Sequence, residues 1–259
     1  MKRLAKLFAI AAVTTAMFIP AVAEANHAWG NYHWERSANP VSLTVGDNVS
    51  SVWDAHLNAA VADWNASSVL NLTVETGSAK GRCKATTGMI EVCSDAYGPT
   101  GWLGLATIYA SGDHITAATT KVNDTYFSVA PYNTPEWRRM VMCQEIGHDF
   151  GLSHQDENFN NANLNTCMDY TSDPSSNQQP NSHDYAQLET TYAHLDGTSS
   201  DGGGGGGNCP PRKPGCPANG DSFSPSDWGQ LVRSEGRHAV YELNLGNGNR
   251  VITFVTWAD

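Results

Sequence analysis

Six consecutive glycines at residues 202–207, directly after Asp201, set the first limit on how this chain folds. A glycine run has no preferred backbone conformation and acts as a flexible tether, so it predicts a break between two folded parts. We therefore expect a domain over residues 26–197, a Gly/Pro-rich linker over 198–220 with Cys209 and Cys216, and a small C-terminal module over 221–259. A domain of that length can build one core of normal size.

The N-terminus has the pattern of a secretory signal. Basic residues precede an almost wholly apolar run over 4–19, and the small residues Ala23 and Ala25 offer cleavage sites. This predicts a signal peptide over 1–25 and a secreted mature protein, extracellular or periplasmic. The run is too short to favour an N-terminal membrane anchor, and no later segment is apolar enough to cross a bilayer. The formal net charge of −11 argues against nucleic acid and anionic membranes as partners.

Six cysteines form an even set, which in an exported chain predicts disulfides. A cysteine metal site is disfavoured because the chain has no close C-x-x-C pair to begin one. Many pairings are possible, but proximity along the chain favours three local ones. These are Cys83–Cys93, Cys143–Cys167 and Cys209–Cys216.

Hydrophobic patterning predicts a mixed α/β (α+β) domain with a twisted sheet. Apolar runs predict strands over 41–45, 70–74, 89–93, 103–109 and 115–122. Three helices are expected: an early one begun by a capping box of Ser51 and Asp54, one begun by Thr134 and Pro135, and a late one over 183–194 capped by Ser182.

The C-terminal module reads as a β-hairpin. Asn247-Gly248 separates the apolar runs 239–245 and 251–255, and Asn-Gly between such runs is a strong hairpin signal. A lone hairpin is marginal in water, so we expect it to pack on the main domain or to pair with another partner.

The segment from Gln144 to His154 carries the chemistry. Residues 144 and 148 are four apart, so Gln144 and His148 lie on one helix face, with Glu145 beside them. Gly151 can take the positive φ that ends a helix, and the turn can then bring His154 back towards His148. Converging imidazoles suit zinc with an open position for water, and a nearby carboxylate can act as general base.

This segment resembles the metzincin metallopeptidases, whose motif is H-E-x-x-H-x-x-G-x-x-H followed by a Met-turn. Glu145, His148, Gly151 and His154 match, and Gln144 replaces the first histidine. Met168 matches the Met-turn, and Tyr170 stands two residues later.

The resemblance implies a secreted zinc-dependent endopeptidase acting on a peptide or protein substrate. Its zinc ligands would be Gln144, His148 and His154, and it would hydrolyse the peptide bond with a zinc-bound water. Glu145 is then the general base, and Tyr170 is a fifth ligand or a donor to the oxyanion.

The same resemblance makes residues 102–106 the edge strand of the cleft, where an extended substrate would add as another strand. It also turns the Cys143–Cys167 pair into a brace between the metal helix and the turn beneath the metal. A monomer is expected.

Position 144 leaves alternatives open, because a glutamine amide oxygen is a poor zinc donor beside imidazole. Gln144 coordinates weakly, or Tyr170, Asp156 or His183 completes the site. Otherwise the site is degenerate, and the chain is an exported peptide- or protein-binding module of metzincin-like shape. The remaining histidines have no partner spacing and are expected to be surface or structural. They are His27, His33, His56, His114, His194 and His238.

Overall fold

The computed structural model describes residues 27–79, 82–196 and 223–258. The predicted signal peptide, the predicted linker and the Cys209–Cys216 pair lie outside these residues. Within the described residues, none of the helices has the length and hydropathy that spanning a membrane requires.

A single mixed sheet organises the described residues. Its order is β3-β2-β4-β6-β5-β9-β8-β7, with the short β1 added beside β6. The strands are β1 (His33–Trp34), β2 (Val41–Asn48), β3 (Leu70–Thr76), β4 (Met89–Asp95), β5 (Trp102–Ser111), β6 (His114–Asn123), β7 (Gln230–Glu235), β8 (His238–Gly246) and β9 (Asn249–Trp257).

The sheet has a parallel half and an antiparallel half. β1, β3, β2, β4 and β6 run parallel to one another. β5 is antiparallel to β6, and β9, β8 and β7 continue to alternate in direction. The predicted α+β class with a mixed sheet is confirmed, and the five predicted strands of the main domain are all present.

The helices are α1 (Asp54–Trp64), α2 (Asp124–Phe127), α3 (Pro135–His148) and α4 (Ser182–Thr191), with short 3-10 turns at Pro174–Ser176 and Pro225–Asp227. α1 buries Leu57, Val61 and Trp64 on one face. The indole of Trp64 donates a 3.0 Å hydrogen bond to the carbonyl of Cys143 in α3, which fixes the two helices against each other.

Helix starts were predicted correctly in one case of three. The Thr134 side chain caps α3 by accepting a hydrogen bond from the backbone of Trp137, as expected. The Ser51 prediction was wrong, because α1 starts after Trp53, which is buried and makes no side-chain cap. The Ser182 prediction was also wrong, because Asn181 forms a capping box with Asp184.

β5 is not the open edge strand that the resemblance implied for residues 102–106. β9 pairs with it antiparallel from Trp102–Trp257 to Ser111–Asn249. An unpaired edge would leave a row of backbone donors and acceptors free. The C-terminal residues 223–258, the tail, supply their partners. The tail therefore packs on the main domain and extends its sheet.

The tail contains the predicted hairpin and one further strand. Asn247 and Gly248 both have positive φ in the turn between β8 and β9. β7 was not predicted, because all six of its residues are exposed and the strand lacks an alternating apolar face.

Candidate metal and catalytic site

The two histidines of the motif meet after the turn that ends α3. His148 Nδ1 lies 2.8 Å from the carbonyl oxygen of Leu152, which can only accept, so Nδ1 carries the hydrogen. His148 Nε2 then presents a lone pair, and it lies 3.1 Å from Nε2 of His154. The predicted convergence of His148 and His154 is present.

Gly151 makes this convergence possible. Its φ is +85°, and a Cβ at this position would lie 2.0 Å from the carbonyl oxygen of Tyr32. The turn is also tied to the N-terminal segment, since Trp29 N donates to Gly151 O at 2.8 Å and Ser153 N donates to His27 O at 2.6 Å. A side chain at residue 151 would therefore displace both the turn and the N-terminal segment beside it.

The donor pair fits zinc. Two ligands at about 2.0–2.1 Å in a tetrahedral arrangement lie about 3.3 Å apart, close to the 3.1 Å between the two Nε2 atoms. Burial lowers the pKa of His148 to about 4 and holds that of His154 well below its ordinary value. Both imidazoles are therefore neutral near pH 7, the form that binds a metal.

Glu145 and Gln144 are wholly buried beside this pair. Thr256 Oγ1 donates to Glu145 Oε1 at 2.6 Å and lies 3.4 Å from Gln144 Oε1. Burial raises the pKa of Glu145 to about 8, although the hydrogen bonds from Thr256 and from the Ala106 backbone lower it. A carboxyl group with a pKa near neutral is suited to take and return a proton.

β5 approaches Glu145 closely through Gly104. A Cβ there would lie 2.6 Å from Glu145 Oε1 and 2.7 Å from Val141. Glycine at this position is required for the strand to lie against α3.

Met168 lies beneath α3, where the resemblance to a Met-turn places it. A Cβ on Gly147 would lie 2.6 Å from the Met168 sulfur and 2.7 Å from the indole of Trp64. The predicted disulfides Cys83–Cys93 and Cys143–Cys167 are both present. The second joins α3 to the residue before Met168, so the helix and the turn are covalently linked.

Tyr170 lies beside His154, with 4.4 Å between the ring centroids. Its side chain is buried, and burial raises the pKa of its phenol above the ordinary value. The structure thus brings Tyr170, His154, His148 and Glu145 into one cluster.

Two of the alternative ligands named by the sequence have other partners. The Asp156 carboxylate accepts from the backbone of Asn158 at 2.6 Å and from the side chain of Asn161. His183 stacks on His27, with ring centroids 4.9 Å apart.

Three residues of the tail enter the site, and the sequence indicated none of them. His238 stacks on Tyr170 at 3.8 Å and lies 4.5 Å from the ring of His154. Phe254 stacks on His148 at 4.3 Å. Thr256 bonds to Glu145 and lies 3.3 Å from His238 Nδ1. His238 was expected to be a surface or structural histidine; it is buried, and β8 carries it into the cluster.

A cavity of about 420 Å³ reaches the outer side of His154. Charged side chains from the 156–157 loop and from β7 line it, with Glu157 and Arg233 paired at 2.5 Å across it. His154 is the one member of the cluster that borders this cavity.

No family profile matches the sequence, and no curated protein matches it. Among solved structures, one of myroilysin matches with a TM-score of 0.38 at 10% identity, covering 66% of this chain and 100% of that chain. A second, high choriolytic enzyme 1, a hatching enzyme zinc-protease from the medaka fish Oryzias latipes, matches with a TM-score of 0.36 at 11% identity. That match covers 65% of this chain and 98% of that chain. At these TM-scores neither likeness says what this chain does.

Proposed function

We propose that this chain is a secreted zinc-dependent endopeptidase acting on peptide or protein substrates as a monomer. The observation that carries the proposal is the pair of neutral imidazoles, with Nε2 atoms 3.1 Å apart, one turn from a buried Glu145. A histidine pair in this arrangement suits a metal, and a carboxylate beside it suits hydrolysis.

Each residue of the cluster would have its own role in peptide-bond hydrolysis. Zinc, when bound, supplies a Lewis acid that lowers the pKa of water and polarises a carbonyl. His148 and His154 would hold it, with the amide oxygen of Gln144 as a weaker third ligand. Glu145 would take the proton of the attacking water and return it to the leaving amine. The Tyr170 hydroxyl would donate to the oxygen that gains charge.

The test of catalysis is hydrolysis of a denatured protein by the purified mature chain, with zinc content measured on the same sample. Removing a general base typically costs about 10²–10⁴-fold in rate. We expect that loss in Glu145→Gln, with zinc retained, and no loss in the control Glu136→Gln in the first turn of α3. Zinc-loaded protein that hydrolyses nothing, both as the intact mature chain and after removal of residues 208–259, would contradict the proposal.

The test of position 144 is Gln144→His, assayed for zinc affinity and for turnover. A third imidazole is a stronger zinc donor than an amide oxygen, so we expect zinc affinity to rise. Equal zinc affinity and equal turnover would show that residue 144 is not a ligand.

A second candidate function is an exported peptide- or protein-binding module without catalysis. One observation favours the absence of catalysis: β9 already fills the edge of β5 where a substrate strand would add. In that case Glu145→Gln would leave partner binding unchanged, and metal-dependent turnover by the wild type would reject it.

A further inference from the structure

Three histidines from separate segments meet one carboxylate outside the site described above. His33 lies in β1, His114 begins β6, and His194 follows α4. Their Nε2 atoms lie 3.2, 3.4 and 3.3 Å from Oδ1 of Asp196. The Nε2 atoms of His33 and His194 are 3.3 Å apart.

The tautomer of His33 makes this arrangement unusual for a hydrogen-bond group. His33 Nδ1 lies 2.6 Å from the carbonyl oxygen of Asn31, so Nδ1 carries the hydrogen in the neutral ring. Nε2 then holds a lone pair, and it faces an oxygen of Asp196 that also holds lone pairs. Two acceptors at this distance repel each other unless a cation or a further proton lies between them.

The other oxygen of Asp196 is already engaged. Oδ2 accepts a 2.9 Å hydrogen bond from the backbone of Arg36, and the guanidinium lies 3.8 Å away. Arg36 also donates to the backbone carbonyl of His194. These contacts orient the carboxylate so that Oδ1 points at the histidines, as partners of metal ligands commonly do.

We propose that His33, His114, His194 and Asp196 bind a second zinc ion. Four of the six ligand-to-ligand distances are 3.2–3.4 Å and match the separation of about 3.3 Å expected between tetrahedral ligands at 2.0–2.1 Å. The ligand atoms of His33, His114 and Asp196 all lie within 4.8 Å of one another. Four protein ligands leave no open position, so this zinc is structural. It ties the N-terminal strand, the β5–β6 turn and the end of the domain to one point.

The first test is zinc content per folded chain in the wild type, in His114→Ala/His194→Ala and in the control His56→Ala. The side chains of His114 and His194 are 40% and 57% exposed, so their loss opens no buried cavity. We expect the double variant to hold one zinc fewer than the other two proteins. The difference does not depend on whether His148 and His154 bind zinc.

The second test is thermal unfolding in a His148→Ala/His154→Ala background, with and without a chelator. Metal bound only to the folded state stabilises it, so the chelator should lower Tm. Adding His114→Ala/His194→Ala should abolish that shift. The proposal is overturned if His114→Ala/His194→Ala changes neither the zinc content nor the Tm shift caused by the chelator. The four side chains would then be a hydrogen-bonded imidazolium–carboxylate group.

A separate observation concerns the tail. β9 pairs with β5 over its whole length and so takes the place of an added peptide strand. The ring of Phe254 stacks on His148, and the ring of His238 stacks on Tyr170. Thr256 donates a hydrogen bond to the carboxyl group of Glu145. The tail therefore takes both the edge and the side-chain space that a substrate would need.

We infer that residues 223–258 are a built-in inhibitor of the proposed peptidase, an inference that rests on the proposed function. His148 and Glu145 are 1% and 0% exposed, so no polypeptide reaches them while the tail is in place. Cleavage within the glycine run, followed by loss of the tail, would open the site.

The test replaces residues 202–207 with the recognition sequence of a site-specific protease, in the His114→Ala/His194→Ala background. After cutting and dilution to nanomolar concentration, we expect zinc extraction by pyridylazoresorcinol to accelerate at least about tenfold and hydrolysis of a denatured protein to appear. Adding synthetic fragment 208–259 should reverse both. Phe254→Ala in the uncut chain should also accelerate extraction.

The two readouts separate the possible failures. Faster extraction that the fragment reverses, without hydrolysis and with the circular dichroism of the domain unchanged, supports the tail as the cover of the site and contradicts the peptidase. Loss of the domain's circular dichroism on cutting shows that the tail is part of the core and overturns the inhibitor. Hydrolysis by the uncut chain as fast as by the cut chain overturns the inhibitor and supports the peptidase. An unchanged extraction rate after the fragment has left overturns the inhibitor.

Discussion

The segment over 144–170 and the tail over 223–258 build one cluster by different means. The first places Glu145, His148, His154 and Tyr170 through helix spacing, a glycine turn and a short disulfide loop. The tail places its side chains through pairing of β9 with β5, about 140 residues away along the chain. The comparison teaches that local spacing assembled the chemical groups and long-range sheet pairing decided their surroundings.

The strongest test of this comparison is Phe254→Ala. Phe254 is 1% exposed and packs in the main core, so its truncation should lower the free energy of unfolding by about 3–5 kcal/mol. Denaturant unfolding measures the change, with Leu231→Ala at a 53% exposed position as control. A loss below about 1 kcal/mol would mean that the tail folds apart from the domain.

Thr256→Val tests the polar contact between the two regions. Valine keeps the shape of threonine but removes the donor to the buried Glu145, which should cost about 1–3 kcal/mol. Thr253→Val is the matched control, because Thr253 makes only a 3.4 Å contact with Thr107. Equal losses in the free energy of unfolding would show that the hydrogen bond from Thr256 to Glu145 contributes nothing beyond what Thr253 contributes.

Gly147→Ala tests the packing of the first region. In an exposed helix this change usually stabilises by about 1 kcal/mol. Here the new methyl group would lie 2.6 Å from the Met168 sulfur, so we expect a net loss of about 1–2 kcal/mol, read as a lower Tm. A higher Tm would show that Met168 does not pack tightly beneath the helix.

Arg233→Gln should have the smallest effect. Arg233 pairs with Glu157 between β7 and the 156–157 loop, but its side chain is 45% exposed. Exposed pairs contribute about 0–1 kcal/mol, and salt screens them. We expect a small loss in the free energy of unfolding at low ionic strength and none in concentrated salt. A loss that salt leaves unchanged would show that the aliphatic part of the arginine side chain packs against its neighbours.

The same contrast explains what the sequence could and could not predict. Gly151, Met168 and the two local disulfides follow from spacings within about 25 residues, and the structure has all of them where the sequence indicated. His238 and Thr256 carry no such signal, because only strand pairing across the glycine run brings them to the cluster. The meeting of His33, His114 and His194 at Asp196 gave no signal either, because these residues lie in distant segments of the main domain. Two predicted helix caps were wrong by one or two residues. Asn181, and not its neighbour Ser182, caps α4, and α1 begins after the buried Trp53 and not at Ser51.

The pairing of β9 with β5 also bears on how copies of this chain associate. A strand joined through a glycine tether can complete the sheet of its own chain or that of a second copy, which is a low-cost route to domain-swapped dimers. The glycine run predicts a tether without preferred conformation, and such a tether gives the strand an effective concentration in the millimolar range. Monomers should therefore prevail in dilute solution, and exchanged dimers should form when the chain refolds from concentrated denaturant. Shortening the glycine run would shift that balance towards the dimer.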